Sequence, residues 1–172
     1  MFVLIFVTVG SRNYQFNRLF KKIDELYEQG EIKCPTFAQV GSSTYRPKHF
    51  EYRDYISQDE FAKKIESANI VISHGASGTI MKALKANKKI IVVTRLEKYG
   101  EHIDDHQIQN NEVFSNNSYV LMADLELKNL GECIKLIQEG KDALVPWENK
   151  DPMAIINLID DFIIENYKWN KK

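Results

Sequence analysis

The residues best suited to chemistry lie between positions 70 and 107. Ile70-Val71-Ile72 reads as a buried strand, His74-Gly75-Ala76-Ser77-Gly78-Thr79 follows it, and a helix then begins. A second buried strand, Ile90-Ile91-Val92-Val93, leads into a polar loop from Arg95 to Gln107. That loop holds Tyr99-Gly100-Glu101-His102-Ile103-Asp104-Asp105-His106-Gln107. A strand, a turn of small residues and a helix start form an anion site from backbone alone. The first N–H groups of a helix lack an internal partner, and the helix dipole adds positive potential there. Glycine, alanine and serine let a phosphate come close to those amides. The pattern points to a phosphorylated ligand, a nucleotide.

The elements that must position these residues alternate between strand and helix. Residues 2 to 9 are almost all apolar, as in a strand buried on both faces of a parallel sheet. Phe16, Leu19, Phe20, Ile23, Leu26 and Tyr27 recur at helical spacing, and Gly30 ends that helix. Phe37 to Val40 and Phe50 to Tyr52 read as short strands. Ser57-Gln58-Asp59-Glu60 is a capping box opening a helix with Phe61 and Ile65 inside. Strands at 70–73 and 89–93 flank a helix at about 78 to 86. A helix at about 104 to 114, a strand at 118–122 and a helix at 125–139 follow, the last with Leu127, Leu130, Ile134 and Ile137 as its apolar stripe. Asp151-Pro152 opens a final helix at about 151–166.

Such alternation predicts an α/β fold with a doubly wound parallel sheet, a single domain over 1–172. In the strand order 3-2-1-4-5-6, the first and fourth strands meet at the switch point, where ligands bind at the carboxyl ends. Gly10-Ser11-Arg12-Asn13, Gln39-Val40-Gly41-Ser42-Ser43, the 74–79 turn and the 95–107 loop then share one rim. The dinucleotide fingerprint GxGxxG and the P-loop pattern are both absent, which argues against NAD and FAD.

Bulk properties narrow the class. Hydrophobic residues are 44% and charged residues 27%, ordinary for a globular domain. The net charge of −1 offers no basis for nucleic-acid binding. Cys34 and Cys133 have no paired spacing and read as reduced, without a disulfide or metal site. No apolar run approaches the roughly 20 residues needed to span a bilayer. The apolar opening reads as a strand, not a signal peptide, so the expected location is cytoplasmic.

With these residues in view, the chain resembles the glycosyltransferase family 28 C-terminal domain. The resemblance runs through Phe6-Val7-Thr8-Val9-Gly10, Gln39-Val40-Gly41-Ser42, His74 to Thr79, Tyr99-Gly100-Glu101-His102 and Asp105-His106-Gln107, covering residue 2 to about 122. Within the family it is similar to short bacterial capsule and exopolysaccharide glycosyltransferase subunits. These in turn resemble the catalytic subunit of the asparagine-linked glycosylation N-acetylglucosaminyltransferase. The resemblance implies a Rossmann-like donor half of a GT-B enzyme, working as one subunit of a two-chain inverting glycosyltransferase. It implies a UDP-sugar donor, a lipid-linked saccharide acceptor, and no metal or other cofactor. A membrane-anchored, acceptor-binding partner subunit would hold the chain at the inner face of the cell membrane. An alternative is a non-catalytic enhancer that activates a partner glycosyltransferase without binding donor.

The resemblance also distributes roles. Ser77, Gly78 and Thr79, with Gly75 before them, match the helix start that holds the donor diphosphate. Gly10 and Ser11 match the first glycine turn, facing the same phosphates. His106 and Gln107 match a His-Gln pair that reaches sugar or ribose hydroxyls. Arg95 is the cation expected to help stabilise the leaving diphosphate, and His74 is the candidate general base, the alternative being a base on the partner chain. Two departures stand out. Lys82 occupies the position where full-length relatives often carry a ribose-binding glutamate, and a lysine cannot accept two O–H donors. Ala76 replaces the second glycine of the usual turn.

Other readings compete with these. His74 is as readily a buried histidine closing a strand. His102 and His106 lie four apart beside Asp104 and Asp105, a spacing also suited to a metal, which would make a metal-dependent phosphohydrolase.

Overall fold

A computed structural model describes residues 3–148. The final helix expected at about 151–166 lies outside the described residues. The sheet has six strands, all parallel, in the order β3-β2-β1-β4-β5-β6. They are β1 (Ile5–Thr8), β2 (Thr36–Gln39), β3 (Glu51–Arg53), β4 (Ile70–Ser73), β5 (Lys89–Val92) and β6 (Leu121–Met122). The helices are α1 (Asn17–Glu28), α2 (Gln58–Ser67), α3 (Ser77–Lys85), α4 (His106–Asn116) and α5 (Leu130–Gln138). This is the doubly wound, Rossmann-like topology that the alternating pattern predicts.

Both faces of the sheet are covered, which is why its strands read as unbroken apolar runs. Side chains on a strand alternate between faces. Ile5, Val7, Ile70, Ile72 and Ile91 therefore share a core with Leu19, Phe20 and Ile23 of α1 and Leu130 and Ile134 of α5. Phe6, Val71, Ile90 and Val92 point the other way, onto Ile65 of α2 and Ile80 and Leu84 of α3. Phe6 is fully buried, with the Phe61 ring edge-on at 5.5 Å. Truncating it to alanine is expected to cost about 3–5 kcal/mol.

Local chemistry sets the helix limits. Ser57 Oγ accepts from the Glu60 amide at 3.2 Å, capping α2 as expected. Past the end of α1, Gly30 N–H donates to Tyr27 O and Glu31 N–H to Leu26 O, the paired bonds of a Schellman end. The same pair closes α4, where Ser118 donates to Ser115 O and Tyr119 to Phe114 O. The strand expected at 118–122 consequently shortens to Leu121–Met122, because its first residues end the preceding helix. The helix expected at 125–139 starts only at Leu130. Asp124 explains this: its carboxylate accepts from the amides of Glu126 and Asn129, at 2.9 and 2.7 Å, and Leu127 sits at φ 61° outside the helix.

One buried carboxylate ties a rim loop to the scaffold. Asp24, in α1, is 2% exposed. It accepts from the Tyr45 hydroxyl at 2.7 Å, from the Lys48 and His49 amides, and meets His49 Nδ1 at 3.1 Å. Burial pushes its pKa up, but the hydrogen bonds from Tyr45, Lys48 and His49 win and hold it below the ordinary carboxylate range. The bond to Asp24 drives the Tyr45 hydroxyl up to about 12. Among the described residues no helix is long and apolar enough to cross a membrane.

Candidate functional site

A cleft of about 750 Å³ opens at the carboxyl ends of β1 and β4, the switch point of the sheet. Its floor is the loop after β1, Gly10 to Arg12, and the turn from His74 to Thr79. One wall is the start of α2, with Ile56, Gln58 and Phe61; the other is His102, Asp104, Gln107 and Asn110. Gln39 closes the end nearest β2, and Lys82 enters from α3. The rims expected to converge do so, with Gln39 representing the second strand. Ser42 and Ser43 serve the loop instead: Ser43 Oγ accepts from the Phe16 amide at 2.9 Å, and Ser42 Oγ lies 2.8 Å from the Tyr55 hydroxyl.

The floor depends on two glycines. Gly75 has φ +92°, and a Cβ there would collide with the Asn111 carboxamide. Asn111 is fully buried and donates to Thr94 Oγ1 at 3.0 Å, so α4 packs directly on the turn. Gly10 has φ +73°, and a Cβ there would lie 2.8 Å from His74 Cε1. The bare backbone lets the imidazole slide beneath the β1 loop.

The turn then delivers an open helix end. Ala76 caps α3 without a side-chain bond, and the Thr79 and Ile80 amides are taken by Ala76 O. The Ser77 and Gly78 amides have no acceptor among the described residues, and both residues are exposed into the cleft. A Cβ on Gly78 would meet nothing within 4 Å. Two free N–H groups, the positive end of a helix and open space are what an oxyanion requires. Gly10, Ser11, Gly75, Ser77, Gly78, Thr79 and Gln107 all line this space. The Gln107 Oε1 is buried there without a partner. His106 opens α4, but its side chain lies outside the described residues.

His74 lines the cleft while only 5% exposed, and its Nδ1 has no partner. Burial drives the imidazole down to about 3, and the Arg95 guanidinium adds to the shift; the Thr8 backbone opposes it. A ring with so low an affinity for protons is a poor general base at neutral pH. It is suited to exchanging a hydrogen bond as a neutral group.

Arg95 lies elsewhere than expected. It does not line the cleft but is fully buried behind it, donating Nη2 to Tyr14 O at 3.0 Å beside the Phe16 ring. Its Nε and Nη1 lack partners, and burial lowers it to about 10 against the pull of Glu101. Through Tyr14 it braces the segment that carries Ser11 and Arg12. Arg12 is the arginine that lines the cleft.

The 95–107 loop is held by residues with no local signature. Glu101 is 1% exposed and accepts from Arg18 Nε at 2.7 Å and from the Leu96 amide at 2.9 Å. Arg18 also donates to the carbonyls of Thr94 and Leu125, and lies over the Tyr99 ring. Asp105 accepts from the Glu97 amide, closing the loop around a 3-10 turn at Glu97–Tyr99. His102 Nδ1 faces Asp104 Oδ1 at 3.2 Å. Among the described residues, no three His, Cys, Asp or Glu side chains are grouped to hold a metal ion.

An all-parallel doubly wound domain with a cleft at its switch point belongs to the Rossmann-like class of α/β domains. Comparison with known proteins narrows this. The model of the glycosyltransferase family 28 C-terminal domain matches residues 4–157, and the chain belongs to that family. Three solved structures show the same fold. A glycotransferase of kitacinnamycin has a TM-score of 0.60 at 15% identity, with 92% of this chain and 37% of that one aligned. MurG from Acinetobacter baumannii gives 0.55 at 12%, covering 93% and 49%. A protein described as a UDP-N-acetylglucosamine 2-epimerase from Listeria monocytogenes gives 0.60 at 10%, covering 99% and 46%. The chain therefore spans less than half the length of these structures and corresponds to one domain of a GT-B fold. No curated protein sequence matches it.

Proposed function

We propose that this chain is the donor-binding subunit of a two-chain inverting glycosyltransferase. It takes a UDP-sugar and, with a membrane-anchored partner, transfers the sugar to a lipid-linked saccharide in capsule or exopolysaccharide synthesis. The observation that carries the reading is the pair of free amides, Ser77 and Gly78, facing an open cleft at the switch point. In the reaction the acceptor oxygen attacks the anomeric carbon, the bond from that carbon to the β-phosphate oxygen breaks, and the electron pair leaves with UDP. The charge that develops falls on the phosphate against the α3 amides, where a single well-placed donor is worth about 2.7–4 kcal/mol in the transition state.

A base must remove the acceptor's proton. His74, neutral to about 3, does not suit that task. The reading therefore assigns the base to the partner, which would also supply the second wall of the active site. Calorimetry with UDP, on the chain alone and with its partner, tests the donor site. Micromolar-range binding supports it, and no uridine nucleotide affinity in either form defeats it. Transfer assays with each chain alone and with both test the pairing: full activity from this chain alone would overturn the two-chain reading.

A further inference from the structure

Lys82 and Arg12 are two exposed cations in the cleft that form no ion pair among the described residues. Lys82 stands four residues beyond Gly78 on α3, one turn along the same face. Helical side chains lean toward the helix N-terminus. Lys82 belongs to the last turn of α3, so this lean carries its stem back along the cleft wall, with Nζ 5.5 Å from the Phe61 ring centroid.

Arg12 faces the same space from the β1 loop, near enough to bias His74 and Arg95. Helix start, ammonium and guanidinium share this space, and the carboxylate among its lining residues, Asp104, stands on the other wall, 3.2 Å from His102 Nδ1. The neutral His74 imidazole, more than nine-tenths buried, lines the same space and brings no negative charge to it. An anion resolves this arrangement. One phosphoryl group satisfies the two amides, and a second brings charge that needs the side chains.

We infer that Lys82 and Arg12 supply the counter-charge for a diphosphate in this cleft, and that Lys82 makes the site prefer diphosphates to monophosphates. The inference deepens the donor-site reading and rests on it. Lysine acts here as a point charge, as it does in many phosphate sites. It replaces the hydroxyl acceptor that a glutamate would offer with a donor to phosphate oxygen.

Calorimetry at one low, fixed ionic strength tests this with UDP, UMP, inorganic pyrophosphate and inorganic phosphate. The expected result is UDP binding about ten-fold tighter than UMP. Lys82→Gln should weaken UDP and pyrophosphate about ten-fold while changing UMP less than about two-fold, and Lys82→Arg should keep the preference. Arg12→Gln should act in the same direction. Lys82 is exposed, so unchanged melting of its variants checks that the fold is intact. A UDP-to-UMP ratio unaffected by Lys82→Gln and Arg12→Gln overturns the inference and leaves the donor site standing. Pyrophosphate binding that depends on Lys82, in a chain with no affinity for uridine nucleotides, keeps the charge assignment and defeats the donor reading. Absence of binding by every probe defeats both.

Discussion

Arg18 and Glu101 lie 83 residues apart and meet at 2.7 Å, the carboxylate almost wholly buried and the guanidinium spanning from it to the Thr94 and Leu125 carbonyls. One side chain thus joins α1 to Glu101 in the loop that forms a wall of the cleft, to Thr94 just before that loop, and to Leu125 in the separate loop after β6. Removing it strands a buried charge, which costs far more than losing a surface pair.

Arg18→Leu is therefore expected to destabilise the domain by about 3–5 kcal/mol. Lysine at this position should recover only part of the loss, since it cannot span three acceptors in one plane. Denaturant melts of the two variants check this. Stability within about 0.5 kcal/mol of the parent would show the clamp to be idle.

Gly75→Ala should cost about 1–3 kcal/mol from overpacking, with backbone strain added at φ +92°. The collision is with one group, the Asn111 carboxamide. Asn111→Ala in the same chain should recover part of the loss, giving a coupling energy of about 0.5–3 kcal/mol in a double-mutant cycle. Strictly additive losses would mean the turn and α4 are not in contact.

Gly78→Asp separates binding from folding. A Cβ there meets open space, and an acidic residue in the first turn favours the helix by about 0.3–1 kcal/mol. Melting should hold or rise slightly while UDP affinity disappears, because a fixed carboxylate takes the place of the phosphate. Retention of UDP binding by this variant would show that the ligand lies elsewhere.

The pH dependence of stability should carry the signature of His74. Its folded value, about 3, is below the unfolded 6.5, so only the unfolded chain takes up this proton between those limits. Its contribution is full above pH 6.5 and is lost as pH falls toward 3, by at most about 1.4 kcal/mol per pH unit. Asp24, whose pKa is lowered, loses its contribution only as pH falls below the ordinary carboxylate value of 3.8, so above pH 4.5 the His74 signature stands clear of it. Urea melts of the parent and His74→Asn from pH 7.5 to 4.5 check this, the variant giving the flatter profile. Parallel profiles would mean that His74 is protonated in the folded state.

The strand order and the turn at 74–79 were legible because both are written locally. Periodicity of two and of 3.6 marks the elements, and alternation leaves few parallel topologies open. The open helix start follows from residue size alone. What local pattern hides is pairing at a distance. Arg95 sits in a polar loop and reads as a cation for the leaving diphosphate, yet Tyr14 and Phe16, far away in sequence, enclose it. Glu101 carries no local sign of a partner, and only the fold brings Arg18 to it. The late start of α5 has a local cause, but Asp124 and Asn129 bind each other across a turn that the apolar stripe conceals.

Helix α1 holds both rims. Near its start Arg18 grips the loop that carries Glu101, and one and a half turns later Asp24 grips the loop that carries Tyr45 and His49. Neither rim can shift without breaking a buried charged contact to the same rod. This side of the cleft is thereby a fixed jaw, already in its working shape, with little ordering entropy left to lose when a ligand arrives. Any closing motion belongs to whatever faces it.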